Sequence, residues 1–259
     1  MPWPLAGPAT IAVVFLLLPL AGLLVRAPWR DLPQLLMQPE VRSALRLSLF
    51  SATLATGLSL LAGVPLAWVL ARSSRPGISL LRALVTLPLV LPPVVGGVAL
   101  LMALGRRGLL GQWLYSWFGL SLPFTTAAVV IAETFVALPF LVVTVEGALR
   151  SSDRGLEEAA ATLGSGPFAT FRRVTLPLVA PSVIAGSVLC WARALGEFGA
   201  TITFAGNFPG RTETMPIAVY LALESNPDAA IALSLVLLGV CVAALALLRD
   251  RWLTAGARL

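Results

Sequence analysis

The sequence contains no histidine and no lysine, so all 18 basic residues are arginine. Without histidine there is no Ser-His-Asp or Cys-His nucleophile, no His-ligated metal and no haem held by His. Only two cysteines occur, Cys190 and Cys241, far apart and inside apolar runs. They exclude a CxxC pair or a thiolate cluster and suit small apolar packing. Charge is also scarce, at 12% of residues, where a soluble domain carries about 25%. The net charge of +6 comes from arginines scattered among apolar segments. No basic patch with interleaved aromatics exists, which argues against nucleic acid as a partner.

What remains is apolar. Hydrophobic residues make up 58% of the chain and the mean hydropathy is +0.92, the composition of a polytopic membrane protein. A spanning helix needs about 20 mostly apolar residues. Six segments meet that need: 9–25, 43–71, 83–104, 124–145, 178–204 and 228–248. The expected fold class is an all-α integral membrane protein lying in the lipid bilayer. The first segment lacks a basic n-region and a small-x-small cleavage site before Arg26, so it reads as a retained helix rather than a signal peptide. With the N-terminus inside, arginines on the inner side outnumber those outside only modestly. Three regions follow: residues 1–42 as a first helix and outer loop, 43–248 as the core, and 249–259 as a cytoplasmic tail.

Prolines interrupt the spans at Pro65, Pro88, Pro92, Pro93, Pro139 and Pro181. Each removes a backbone donor and kinks or breaks its helix. Freed carbonyls at membrane depth need a neighbour or a wet cavity. Pro92-Pro93-Val94-Val95-Gly96-Gly97 combines a break, small apolar side chains and a flexible backbone, which suits a constriction or gate. Simple packing fits the same residues. Arg193 and Glu197 are ionisable groups inside a span, spaced i, i+4. They read either as a structural ion pair or as a polar element beside an anion route. Thr201 and Thr203 offer hydroxyls to such a route, or bond back to their own helix. Gly196 and Gly199 allow close helix approach. Glu133 is a further intramembrane acid, expected to make an inter-helix hydrogen bond. In the outer loop, Trp113, Tyr115, Trp117 and Phe118 suit interface anchoring.

One polar island stands between the long apolar runs: LEEAAATLGSGPFATFRRVTLP, residues 156–177. A helix starting near Gly155 puts Glu157 and Glu158 in its first turn, where the dipole favours acids. Leu156, Ala159, Ala160 and Leu163 share one face. Gly164 suits the left-handed position that ends a helix. Pro167 then suits the first turn of a second helix capped by Ser165 or Gly166, with Phe168, Phe171 and Thr175 on one face and Pro177 ending or kinking it. The island therefore reads as a helical hairpin on the cytoplasmic side. A lipid-surface helix normally presents Lys or Arg to headgroups. This one presents acids and an alanine face, which favours docking to another protein.

At these residues the chain resembles the permease subunits of ABC importers. Their cytoplasmic motif, E-A-A-x3-G-x9-I-x-L-P, appears here as Glu158-Ala159-Ala160, Gly164, then Val174, Leu176 and Pro177, with Val174 in place of Ile. The resemblance implies the type I permease fold. It implies coupling helices at about 154–176 that sit in a groove of a partner ATPase and involve Glu157, Glu158, Ala159, Ala160, Gly164, Pro167, Val174, Leu176 and Pro177. It also implies that ATP and magnesium are bound by that partner and no cofactor by this chain. The chain has no Walker A loop and no lysine to complete one.

The stretches 87–111 and 192–220 resemble the molybdate-type permeases, with sulfate permeases as close relatives. That resemblance implies a bacterial inner-membrane homodimer, fed by an extracytoplasmic oxyanion-binding protein. It also supports a pathway position for Pro92 to Gly97, while Arg193, Glu197, Gly199, Thr201 and Thr203 are candidates for the same path on their residue chemistry alone. The competing readings are a sulfate or thiosulfate permease and an ion-coupled secondary transporter using Glu133 and Glu197. The secondary transporter would leave the polar island without a role and would often show inverted repeats, which the sequence lacks.

Overall fold

Hydropathy locates the spans, and proline and glycine decide where they break. The computed structural model describes residues 3–256, all of whose regular elements are helical. Helix α1 (Trp3–Val25) leads into a short α2 (Leu32–Met37) and the long α3 (Pro39–Arg72). The third expected span is two helices, α4 (Ile78–Val90) and α5 (Pro93–Leu104), meeting at a bend of 118°. A short aromatic helix α6 (Gly111–Phe118) precedes α7 (Thr126–Ser151). Then come α8 (Gly155–Thr162), α9 (Pro167–Thr170), a π-helical turn (Phe171–Thr175) and α10 (Leu176–Leu195). Helices α11 (Gly199–Ala205), α12 (Met215–Ser225) and α13 (Pro227–Gly256) complete the chain. The expected tail 249–259 is helical as far as Gly256, and residues 257–259 lie outside the described part.

Two expectations need correction. Segment 83–104 is not one helix. A residue before proline is driven out of the helical region, and Leu91 and Pro92 adopt ψ of 128° and 131° ahead of Pro92 and Pro93. Segment 178–204 is not one helix either. It stops at Leu195 and restarts at Gly199 around Gly196-Glu197-Phe198. Helix α12 was not anticipated, because 11 residues are too few for a span.

The C-terminal ends of α3 and α7 lie side by side, since Arg72 donates to Ser152 Oγ at 2.9 Å. Further along, Ser51 of α3 donates to Glu133 of α7 at 2.8 Å. The two helices are therefore parallel, and the chain between them must cross the membrane. The α4–α5 pair makes that crossing. Arg82 lies beside Glu146 near the end of α7, while Leu100 packs with Ala128, Val129 and Ala132 near its start. The pair is a broken span rather than a re-entrant loop that returns to its own side.

Small residues let these helices approach. Ala44, Ser48, Ser51, Ala52, Ala55, Ser59, Gly63 and Ala67 form the buried stripe of α3. A β-carbon on Gly63 would sit 3.2 Å from Leu141 of α7. A still closer inter-helix approach is that of α5 on α11. A β-carbon on Gly97 would lie 2.7 Å from Thr203 Cβ and 2.8 Å from the Ala200 carbonyl oxygen. One on Gly199 would lie 2.9 Å from Pro93 Cβ. Helix α1 stands apart from the core: Ile11, Val14, Phe15 and Leu18 all remain exposed, and its packing is against α13.

Gly97→Val should therefore force α5 and α11 apart and lower the apparent melting temperature in detergent, at a cost of about 1–3 kcal/mol. Gly57→Ala, which meets nothing within 4 Å, should be neutral or stabilising by up to about 1 kcal/mol. Equal melting temperatures for Gly97→Val and the wild type would contradict the packing described.

Candidate functional site

The hairpin is built as its sequence predicts at the turn. Helix α8 ends in a glycine cap: Gly164 takes φ +84°, its N–H donates to the Ala161 carbonyl, and Ser165 N–H donates to the Ala160 carbonyl, both at 3.0 Å. Gly166 is the extended cap of α9 and Pro167 fills its first turn. On the far side, of the two expectations for Pro177 the structure excludes the first: Pro177 does not end the second helix, because the π turn joins α9 directly to α10. Leu176 N–H reaches back five residues to the Phe171 carbonyl. Pro177 has no N–H to give, and the wider π register accommodates its ring without stopping the helix. The hairpin is thus continuous with a spanning helix.

Its two acids play different parts. Glu158 is exposed. Glu157 is turned inward, where its Oε1 accepts from Arg72 Nη2 at 2.7 Å and from Thr175 Oγ1 at 3.0 Å. The expectation that Glu157 faces a partner is therefore corrected. The Arg72 side chain is only 9% exposed, and Nη2 also donates to Ser152 Oγ. Three segments meet there: the end of α3, the end of α7 and the hairpin. Phe171 adds an edge-on contact to Trp68 of α3 at 6.2 Å between ring centroids.

A second charge cluster adjoins it. Glu146 is buried and takes Arg82 at 2.8 Å and Arg150 at 2.9 Å. Arg82 Nη2 also donates to the Leu70 carbonyl, and Arg154 Nη2 to the Ala71 carbonyl. Those carbonyls belong to the last turn of α3, which has no intrahelical donors for them. In the sequence, Arg72 and Arg82 enter only through the excess of inner-side arginines, and nothing marks Glu146 except its spacing to Arg150. The i, i+4 spacing of Glu146 and Arg150 was the available hint; the partners more than 60 residues away were not in reach.

The outward tip of the hairpin is apolar. Leu163 is 88% exposed and Phe168 is 75% exposed. Ala159, Gly164, Pro167 and Pro177 are also exposed, while Ala160, Val174 and Leu176 are half-buried.

The expected path residues come together in part. Gly96 and Gly97 are buried, with Gly97 against Ala200 and Thr203, and Gly199 against Pro93. Pro92, Val94 and Val95 remain exposed. Arg193 Nη2 lies 2.6 Å from Glu197 Oε2. The approach is a charge contact whose angle does not suit a hydrogen bond, since Oε2 has no aligned donor. Glu197 Oε1 accepts from Ala200 N–H at 2.8 Å and so caps the start of α11. Thr203 Oγ1 bonds back to the Gly199 carbonyl. Thr201 Oγ1 is buried with no partner. Ser48 accepts from Met215 N–H at 2.8 Å and pins α12 to α3. No group of three or more His, Cys, Asp or Glu suited to a metal occurs among the described residues.

These features define a multi-pass helical membrane protein that carries a helical hairpin between two of its spans. Residues 63–255 match the family model for binding-protein-dependent transport system inner membrane components, and the chain belongs to that family. It is 52% identical over 241 residues to the molybdenum transport system permease protein ModB of Mycobacterium tuberculosis, covering 93% of this chain and 90% of that one. It is 43% identical over 219 residues to ModB of Escherichia coli, covering 85% and 95%. Its fold is that of the type I ABC importer permeases. A bacterial alginate ABC transporter, solved in complex with alginate pentasaccharide-bound periplasmic protein, superposes with a TM-score of 0.72 at 20% identity over 96% of this chain and 91% of that chain.

In the connection between α11 and α12, burial raises the carboxyl of Glu213 above the ordinary carboxylate range, and the nearby Glu40 charge adds to the shift. A carboxyl raised in the folded state contributes stability that is full below its unfolded pKa and is lost as pH rises through the folded value. Glu213→Gln should flatten that fall: its apparent melting temperature should exceed the wild type's near pH 7 and match it near pH 4, about the ordinary glutamate pKa. A difference that does not change with pH would show that Glu213 does not titrate in this way.

Proposed function

We propose that this chain is the transmembrane permease of an ATP-driven importer that carries a tetrahedral oxyanion, molybdate first, into a bacterial cytoplasm. The site lies in the inner membrane. Two copies pair around the path, and the exposed α5 face of Val94, Val95, Val98 and Met102 is where the second copy packs. ATPase subunits dock on the cytoplasmic hairpins and hydrolyse ATP with magnesium; this chain is not catalytic. An extracytoplasmic binding protein delivers the anion and supplies most of the selectivity.

The observation that carries this reading is the hairpin itself. Its tip offers Leu163, Phe168 and the alanine face to a partner, while its base is fixed by Glu157. Docked ATPases that close on ATP push on that tip. The push passes through the π turn into α10, because the two are one continuous helix. Helix α10 ends at the Arg193–Glu197 pair, and Glu197 caps α11. Helix α11 is seated on α5 at Gly97 and Gly199. Movement of α10 thus reaches one side of the Pro92–Gly97 constriction.

Within that path Arg193 is committed to Glu197 and is not a free cation for the substrate. A conducting site must bind weakly enough to release. The arrangement suits passage of an anion already selected outside. The relatives named for molybdenum transport support molybdate as the cargo.

Proteoliposomes holding the permease, its ATPase and its binding protein should take up labelled molybdate only with ATP. Tungstate should compete strongly and sulfate weakly. Uptake driven by a proton gradient without ATP would overturn the reading in favour of a secondary transporter, and sulfate uptake exceeding molybdate would reassign the cargo. Glu158→Lys should reduce ATPase association at least about tenfold, equivalent to about 1.4 kcal/mol. Gly164→Val should do the same, because a branched side chain at positive φ costs about 1–3 kcal/mol. Gly164→Asn, which tolerates that conformation, should be milder.

A further inference from the structure

The continuous α10 connection accounts for only one side of the α5–α11 contact. The other side, α5, hangs from α4 through the Leu91–Pro92 break. Helix α4 does not touch the hairpin by any direct ion pair among the described residues. It is joined to it through the end of α3. Glu157 of the hairpin holds Arg72, the last residue of α3. One turn or less away, the Leu70 carbonyl holds Arg82 of α4, and Arg82 in turn holds Glu146 of α7. Arg154, at the hairpin's entrance, closes the loop on the Ala71 carbonyl.

We propose that Arg72 and Arg82 are positioning residues that carry displacement of the cytoplasmic hairpin to α4, and so to the α5 side of the constriction. The proposal rests on the transport reading above and deepens it. The hairpin then drives both faces of one contact: α11 through α10, and α5 through the Glu157–Arg72–Leu70–Arg82 chain. The physical reason is stiffness. Arg72 and Glu157 are largely withdrawn from water, so the hairpin cannot move away from α3 without exposing unpaired charge. The Arg82 link is fixed at both ends of one guanidinium, with Nε on Glu146 and Nη2 on Leu70. A planar fork of this kind holds direction as well as distance. A lysine at position 82 would keep the charge and lose the second hold.

The route through α10 does not pass through either arginine. The two arms can therefore be separated by experiment. With Arg72→Gln, Glu157→Gln and Arg82→Gln, the ATPase should still assemble and still hydrolyse ATP in response to the loaded binding protein. Molybdate taken up per ATP hydrolysed should fall at least about tenfold in each, within the usual range of coupling between sites. The double variant Arg72→Gln with Glu157→Gln should be no worse than either single variant, because both remove the same link. Arg72→Lys should recover part of the loss, and Arg82→Lys less, since only one of two contacts survives.

A purely structural role for these residues would lower assembly and hydrolysis together and leave uptake per ATP unchanged. That result, or additive losses in the double variant, would overturn the proposal. Should Arg72→Gln not assemble, Glu157→Gln keeps the side-chain shape and decides the matter: full coupling in its assembled complex would overturn the proposal. Absence of ATP-driven uptake in the wild-type complex would instead overturn the transport reading, and the proposal with it.

Discussion

Removing one partner from a buried ion pair costs about 3–5 kcal/mol, because the remaining charge is left unpaired away from water. Arg72 and Glu157 form a partly buried pair, at a smaller cost of the same kind, and the hairpin end of the molecule is organised around them. The contact fixes the angle at which the hairpin leaves α7. The same carboxylate oxygen also accepts from Thr175 of the π turn. The contact also brings the last turn of α3 to where Arg82 and Arg154 can satisfy its carbonyls. A hairpin attached by apolar packing alone would tilt freely against the bundle. This one moves with the helices to which it is tied.

The membrane half answers a different constraint. A broken helix in a bilayer must find partners for its backbone. At the second break Glu197 supplies an acceptor for Ala200 N–H while its other oxygen faces Arg193. The residue that neutralises the charge in the span is therefore also the residue that restarts the chain as α11. At the first break, Gly96 N–H finds the Pro92 carbonyl and α5 resumes at once. Both breaks then face each other across glycines, with Gly97 on Ala200 and Thr203 and Gly199 on Pro93. Two short helices in close contact, each hung from a different longer helix, form a joint that a relative movement of those longer helices would open.

Much of this was legible in the sequence, for reasons that can be stated residue by residue. Hydropathy placed the spans because bilayer thickness sets their length. Gly164 and Pro167 placed the turn because only glycine is at ease with positive φ and only proline gives up an N–H without loss at a helix start. The spacing from Glu158 to Pro177 gave the family, and the relatives agree. The proline pair at 92–93 was recognised as a break, but not as a bend of 118°. Helix propensity says where a helix stops and little about the direction in which the next one starts. Glu157 and Glu158 could not be told apart in sequence, since both sit in a first turn. Which one faces inward depends on Arg72, which lies 85 residues away. Helix α12 was missed because it is too short for hydropathy to separate from a loop, and its anchor is a single bond from Met215 N–H to Ser48.

The account turns on the claim that the hairpin tip meets an ATPase rather than lipid. The most direct measurement is site-specific cross-linking from Phe168→Cys and Leu163→Cys in the assembled, transporting complex, with the native Cys190 and Cys241 replaced. The predicted result is a covalent adduct with the ATPase subunit from both positions, in a yield that changes with ATP. Adducts formed only with a lipid-phase reagent, in a complex that still transports, would contradict the claim.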